Sequence, residues 1–354
     1  MHKFFTSSYD ASIYLQQPEQ NAGRDEILEV GKLYYGSTKD IARTLIKFDV
    51  TTMGIPSGSS VYLNLKSARA EEIPLEYTIY ANAVSQSWTM GTGTKFDNIT
   101  SDGVSWKYRN GSNKWVSYDT TGGTAVYTSN TTGSANAEGG VWYLSGSTSQ
   151  SYSYEDADIR MNVTNIVNLW LSSSIPNNGF ILHHSLDAES DTTDYGVLKF
   201  FSKETNTIYE PKLEVVWNDV SFVTASLTPT TGSAEDGYKV VLTNLKNKYP
   251  ANETIKIRVK GRDAFPLKSF GTTFEYDQVK YLPSTTYYQL EDYKTGEIIY
   301  PFGNYTKVSC DSTSNYFNLS LNTLPINRTY KLKIKIVEDG ISTIIDDKLI
   351  FEIV

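Results

Sequence analysis

Apolar residues in this chain recur with a period of two in many short runs and with a helical period in one. Val61, Leu63 and Leu65 alternate with Tyr62, Asn64 and Lys66, and Leu75, Tyr77 and Ile79 follow the same rule. In the C-terminal part Ile255, Ile257 and Val259 alternate with Lys256, Arg258 and Lys260, and Leu332, Ile334 and Ile336 with Lys331, Lys333 and Lys335. Successive side chains on a strand point to opposite faces, so this alternation specifies half-buried strands with one solvated face. A chain built from such runs has to stack its sheets face to face, and the expected class is all-β.

The exception lies at Ile159–Asn218. There Val163, Ile166, Val167, Trp170 and Leu171 fall on one helical face. The spacing predicts one short helix near 164–173, with Thr164 as its N-cap. Asn177-Asn178-Gly179 then supplies turn chemistry. Three strand-sized apolar runs follow, at 180–182, 197–201 and 213–217. A lone helix among strands reads as a lid over the open end of a β-sandwich, with the Trp170 indole as its plug.

Along the chain, residues 4–15 read as a first strand region and 44–50 as another, with Ile46, Phe48 and Val50 on one face. Residues 91–156 are rich in Gly, Ser, Thr and Asn and carry Trp106, Trp115 and Trp142. They read as an ordered excursion with a hairpin around Asn110-Gly111, in which Thr120–Asn136 is expected to be the mobile part. Asn218-Asp219 closes a first unit, 1–218. Residues 219–354 then have the strand content and size of one immunoglobulin-like domain. There is no convincing internal repeat.

Arg43-Thr44-Leu45-Ile46-Lys47-Phe48-Asp49, with Asn162–Leu171 and the Gly179-Phe180-Ile181-Leu182 strand, resembles the DNRLRE-type β-sandwich family over roughly the first 218 residues. The variant with Lys199-Phe200-Phe201-Ser202 and Pro211-Lys212-Leu213-Glu214-Val215 is similar to versions found in virion structural proteins of tailed phages. A fainter likeness to the C-terminal domain of such proteins covers Tyr281–Tyr288, Phe302–Asp311 and Arg328-Thr329-Tyr330. The resemblance implies a jelly-roll or DNRLRE-like sandwich followed by an immunoglobulin-like one. It also implies that the 91–156 excursion is an insert rather than a domain.

Composition narrows the function. The formal net charge is -8, against the basic patch that nucleic-acid binding requires. No run approaches the 18 or so apolar residues of a membrane span, and the N-terminus has no apolar stretch of signal-peptide length. Cys310 is the single cysteine, so no intrachain disulfide forms. It has no neighbouring His in sequence and reads as a buried thiol. The expected setting is a virion assembled in a host cytoplasm.

No catalytic constellation is legible. His183 and His184 are adjacent and point to opposite faces of a strand, so they do not jointly hold a metal. Carboxylates cluster at Glu155-Asp156-Ala157-Asp158 and at Asp187, Glu189, Asp191 and Asp194. They read mainly as solvated loop acids, with a structural calcium as the lesser alternative and no other cofactor. The 26 tyrosines and the tryptophans suit strand faces and surfaces that partners cover. Trp106, Trp115, Trp142, Tyr108 and Tyr118 are the candidate interface.

The expectation is therefore a non-enzymatic structural protein of a tailed phage, placed at neck, tail or baseplate. It would be present in multiple copies and contact other virion proteins through loops and sheet edges. The alternative is a carbohydrate-binding or adhesive module of a phage fibre or bacterial surface protein, with Trp88, Trp106, Trp115 and Trp142 as a glycan-stacking platform.

Overall fold

A computed structural model describes residues 1–115, 126–127, 138–153, 158–230, 238–264 and 279–354. Strand takes up 49% of it and helix 5%, so the chain is all-β. Two compact units are resolved by their internal contacts: Phe5–Val215, and Val216–Val354 together with Met1–Phe4.

The strands of Phe5–Val215 lie in a four-stranded and a nine-stranded sheet. The smaller runs in the order His2–Thr6, Lys212–Val216, Ser60–Leu65, Ile159–Asn162. The larger runs Ser67–Glu71, Gly196–Phe201, Ile27–Tyr35, Thr38–Lys47, Phe180–His183, Glu76–Val84, Trp142–Ser153, Val126–Tyr127, with Tyr9–Tyr14 also paired to Thr38–Lys47. The expected single strand region at 4–15 is two strands in different sheets, broken at Ser7-Ser8.

The helix forms where its periodicity placed it, as α1, Thr164–Leu171. Ile166, Val167 and Trp170 are its buried residues, and it lies against strands Ser60–Leu65 and Trp142–Ser153. The Trp170 ring meets Phe180 at 4.6 Å, and Phe180 meets Phe48 at 6.2 Å. Thr164 does not cap the helix. Its hydroxyl accepts from the Val61 amide at 2.8 Å, tying the first turn to the neighbouring strand, while Asn162 Oδ1 accepts from the Thr164 amide at 3.1 Å. Strand anchoring outcompetes the local cap because the helix starts directly off a sheet strand.

A second helix, α2 (Leu186–Ser190), was not expected. Ser185 caps it by accepting from the Ala188 amide at 3.1 Å, and Asp187 and Glu189 lie in its first turn, where carboxylates complement free N–H groups.

The second unit is a β-sandwich by its core. One sheet holds Thr228–Pro229, Lys280–Tyr281, Thr254–Asp263, Asn315–Ser320 and Ser309–Cys310, with Tyr238–Leu242 also on Thr254–Asp263. The other runs Lys248–Tyr249, Ile341–Ile353, Arg328–Glu338, Thr286–Asp292, Ile298–Tyr300. Val240, Ile257, Val259, Phe317 and Leu319 of the first and Tyr288, Leu290, Leu332, Ile334 and Phe351 of the second share one apolar cluster. Tyr288 and Phe317 stack across the sheets at 4.2 Å. Met1–Phe4 join this unit: the terminal amine donates to the carbonyls of Trp217 and Tyr305 and pairs with Asp219 at 3.0 Å, while Phe4 stacks on Tyr300 at 5.8 Å. Among the described residues no helix is long and apolar enough to cross a membrane.

Candidate interaction surfaces

Of the five candidate interface residues, the three tryptophans lie inside. Trp106 and Trp115 are 0% exposed and Trp142 is 2% exposed. Tyr108 is half-buried, and Tyr118 lies outside the described residues, as does 120–136 apart from Val126–Tyr127. The expected hairpin forms around Asn110-Gly111, closed by a Tyr108–Lys114 bridge and an Arg109 N–H to Asn113 carbonyl bond of 2.8 Å. It folds back on its own unit. The Trp115 indole donates to the Ser105 carbonyl at 3.1 Å and the Trp88 indole to the Asn178 carbonyl at 2.7 Å. The stacking platform is thus absent from the surface of the described residues.

Two of these rings, Trp106 and Trp142, enclose a buried cation. Arg43, the arginine of the resemblance motif, is 0% exposed and sits between Trp106 at 4.7 Å and Trp142 at 5.1 Å. Its guanidinium forks onto Glu189 of α2, with Nε donating to Oε1 at 3.1 Å and Nη2 to Oε2. Nη1 donates to the Gly139 carbonyl. Gly139 has φ +81°, and a Cβ there would sit 2.5 Å from Nη1 and 2.7 Å from Trp106, so only glycine closes this corner. Glu189 corrects the expectation of a solvated loop acid: it is 2% exposed and committed to Arg43. Asp191 is likewise engaged, by the buried Lys32 ammonium.

The histidines join the same interior. His183 stacks on Trp142 at 4.5 Å and bonds Asn82 Oδ1 at 3.0 Å. Burial, with Arg43 nearby, lowers its pKa to about 3, and burial lowers that of His184 to about 4. Both are neutral packing groups at neutral pH. Burial raises the Cys310 thiol above its usual value. Among the described residues no three His, Cys, Asp or Glu side chains converge as metal ligands; Glu155 and Asp156 lie outside them.

The second unit presents two cationic sheet faces with opposite outcomes. On strand Arg328–Glu338, Lys331 and Lys333 are matched by Glu291 and Asp346, with pairs at 2.7 Å (Lys333–Glu291) and 2.5 Å (Lys331–Asp346). Ile344 and Ile350, opposite Lys335 and Lys331, add exposed apolar surface there. The other face stays positive. Lys256, Arg258, Lys260 and Arg262 alternate outward from strand Thr254–Asp263, with Lys239 opposite Arg262. One acid, Asp311, serves two of them: it accepts from Arg258 Nη1 at 2.6 Å and pairs with Lys256 at 3.1 Å. The Arg258 hydrogen bond holds the Asp311 carboxyl well below the usual range. Tyr316, opposite Arg258, lies 3.6 Å beneath the Lys256 ammonium. Lys239 and Lys260 make no ion pair among the described residues. No sequence signal separated these two faces, because the neutralising acids come from other strands.

Charge is divided between the units. Residues 5–215 hold 15 Lys and Arg against 24 Asp and Glu, a formal -9. The rest hold 17 against 16, a formal +1.

No family model and no curated protein matches the chain. Among solved structures it is similar to Salmonella alpha-2-macroglobulin. Against a point mutant of that protein the identity is 10%, all of this chain is covered with 26% of the other, and the TM-score is 0.22. Against the methylamine-reacted form the values are 11%, 100%, 26% and 0.21. The chain thus spans 26% of that protein's length, and at such scores the likeness bears on neither topology nor function.

Proposed function

We propose that the chain is a non-enzymatic structural subunit of a tailed-phage virion, present in multiple copies at neck, tail or baseplate. The resemblance motifs support the phage setting: Arg43, Phe48, Trp170 and Phe180, which carry them, are all buried residues of the first unit. The observation that carries assembly is the division of charge. A positive sheet face, with two lysines unpaired among the described residues, stands on one unit, and the other unit carries a formal -9. Complementary potentials of this kind steer association and fix register between partners. When the acidic unit of a neighbouring copy meets the basic face, the contact is head-to-tail, and such contacts close into rings or extend as filaments. Either geometry suits a virion part repeated around or along an axis.

The test is the particle itself. In purified virions of a phage encoding this chain, mass spectrometry is expected to find it in several copies. A cryo-electron microscopy map is expected to show the Tyr316 face covered by a neighbour. Absence of the chain from particles, or a solvated Tyr316 face in every copy, overturns the reading. Trp88, Trp106, Trp115 and Trp142, the residues offered for the carbohydrate-binding alternative, are buried, which favours the assembly reading over it.

A further inference from the structure

The basic sheet face of Val216–Val354 has an apolar centre. Strand Tyr238–Leu242 pairs antiparallel with Thr254–Asp263, which sets Val241 opposite Lys260 and Lys239 opposite Arg262. Directly opposed residues share a sheet face, and so do alternate residues of one strand. Lys239, Val241, Lys260 and Arg262 therefore form one cluster, in which Val241 is 59% exposed and both lysines are exposed. Neither lysine has an ion pair or a hydrogen bond among the described residues. Like charges set directly opposite each other destabilise a sheet. The cluster thus offers an apolar spot among cations whose repulsion an incoming carboxylate relieves.

The matching pattern stands on the other unit, in the loop between strands Ser67–Glu71 and Glu76–Val84, which reads Glu72-Ile73-Pro74-Leu75-Glu76. Leu75 is 65% exposed. Glu72 and Glu76 are exposed on either side of it, with neither ion pair nor hydrogen bond among the described residues. No other exposed large apolar side chain described in Phe5–Val215 is closely flanked in sequence by two such carboxylates. Phe96, for instance, is followed by Asp97, whose carboxylate accepts from the Thr94 hydroxyl at 2.6 Å. The loop is held at both ends. Glu76 opens a strand opposite Ser153. At the other end a Cβ on Gly196 would sit 2.7 Å from the Glu72 carbonyl oxygen, so backbone packs on backbone there. Pro74 fixes one φ in between. A loop held in this way loses little conformational freedom on docking.

Each patch is an apolar side chain beside two like charges that have no partner of their own, and the two patches are opposite in sign. Two carboxylates meet two ammonium groups, so the contact is balanced in charge. A simple anion would satisfy the lysines and leave Val241 in water; the loop covers it with Leu75. Burial of that apolar pair adds a fixed register to an attraction that charge alone leaves loose. The two patches belong to different units, so a contact between copies uses a different surface on each and is heterologous.

Resting on the head-to-tail reading proposed above, we infer that loop 72–76 of one copy docks on the cluster of Lys239, Val241 and Lys260 of the next. Leu75 meets Val241, and Glu72 and Glu76 meet the lysines. The test uses two charge-reversed chains in sedimentation velocity at low salt, one carrying Glu72→Lys with Glu76→Lys and the other Lys239→Glu with Lys260→Glu. All four positions are exposed and have no ion pair to break among the described residues, so both chains are expected to fold, which circular dichroism checks. Each chain alone sets like charge against like and is expected to lose self-association. Their equimolar mixture sets opposite charges together at every contact and is expected to regain it. Leu75→Ser, which keeps every charge, is expected to weaken self-association about tenfold through the apolar burial it loses. In a mixture of unlabelled and nitrogen-isotope-labelled parent chains, carbodiimide coupling is expected to join Glu72 or Glu76 to Lys239 or Lys260 in isotope-mixed peptide pairs. Association lost with the lysine reversals but kept with the glutamate reversals, or cross-links from these lysines only to other carboxylates, overturns the docking of this loop and leaves the basic-face reading standing. A parent chain that stays monomeric overturns both.

Discussion

Replacing Glu189 by Ala is the perturbation that most directly probes how the first unit holds together. The carboxylate is buried and receives two hydrogen bonds from a guanidinium that is itself 0% exposed. Removing it leaves Arg43 charged between two indoles, with the Gly139 carbonyl as a neutral acceptor. Breaking a buried pair by deleting one partner costs about 3–5 kcal/mol. For a unit of this size each kcal/mol is worth roughly 2–4 °C in Tm. The expected drop is therefore about 6–20 °C by calorimetry, in the transition of the first unit. A paired Arg43→Met, Glu189→Leu variant removes both charges, and replacing such pairs with apolar residues is often neutral. It is expected to recover most of the loss. A Glu189→Ala protein within about 1 kcal/mol of the parent in a denaturant titration would refute the claim that this pair anchors the tryptophans.

Other consequences are as direct. Burial raises the Asp10 carboxyl to about 7 from 3.8, so the folded state holds a proton that the unfolded state releases. Its contribution to stability is present below about pH 4 and lost as pH rises to about 7; Asp10→Asn should flatten that part of the stability–pH curve, and an unchanged slope would refute it. His183 and His184 act in the opposite sense: their lowered values mean that stability present above pH 6.5 is lost as pH falls towards 4 and 3, which His183→Gln should lessen in an acid titration. Trp170→Ala empties the plug under α1 and is expected to cost about 3–5 kcal/mol in chemical unfolding. Because burial raises its pKa, Cys310 should react slowly with a thiol reagent in the native protein and fully in denaturant.

What the sequence revealed depended on how local each signal was. The strands at 254–260 and 331–336 were readable because period two is carried by adjacent residues, and α1 because its stripe lies within eight residues. The partner of Arg43 was not readable, since Glu189 lies 146 positions away on a five-residue helix too short to show a stripe. Ser185 ahead of Asp187 and Glu189 was the available sign of that helix. The tryptophans of the excursion read as surface residues for the same reason. Nothing local to Trp106 or Trp142 announces that a buried guanidinium lies between them. The one hint nearby was the Gly139-Gly140 pair, whose positive φ values mark a tight corner.

The assembly reading stands or falls on one solution measurement, sedimentation velocity of the purified chain as a function of concentration and salt. The account predicts concentration-dependent association at low ionic strength that weakens as salt screens the contact. It also predicts that Lys260→Glu, at an exposed position with no ion pair to break among the described residues, abolishes association while leaving the fold intact. A chain that stays monomeric at low salt and high concentration, or that associates equally well with Lys260→Glu, would contradict it.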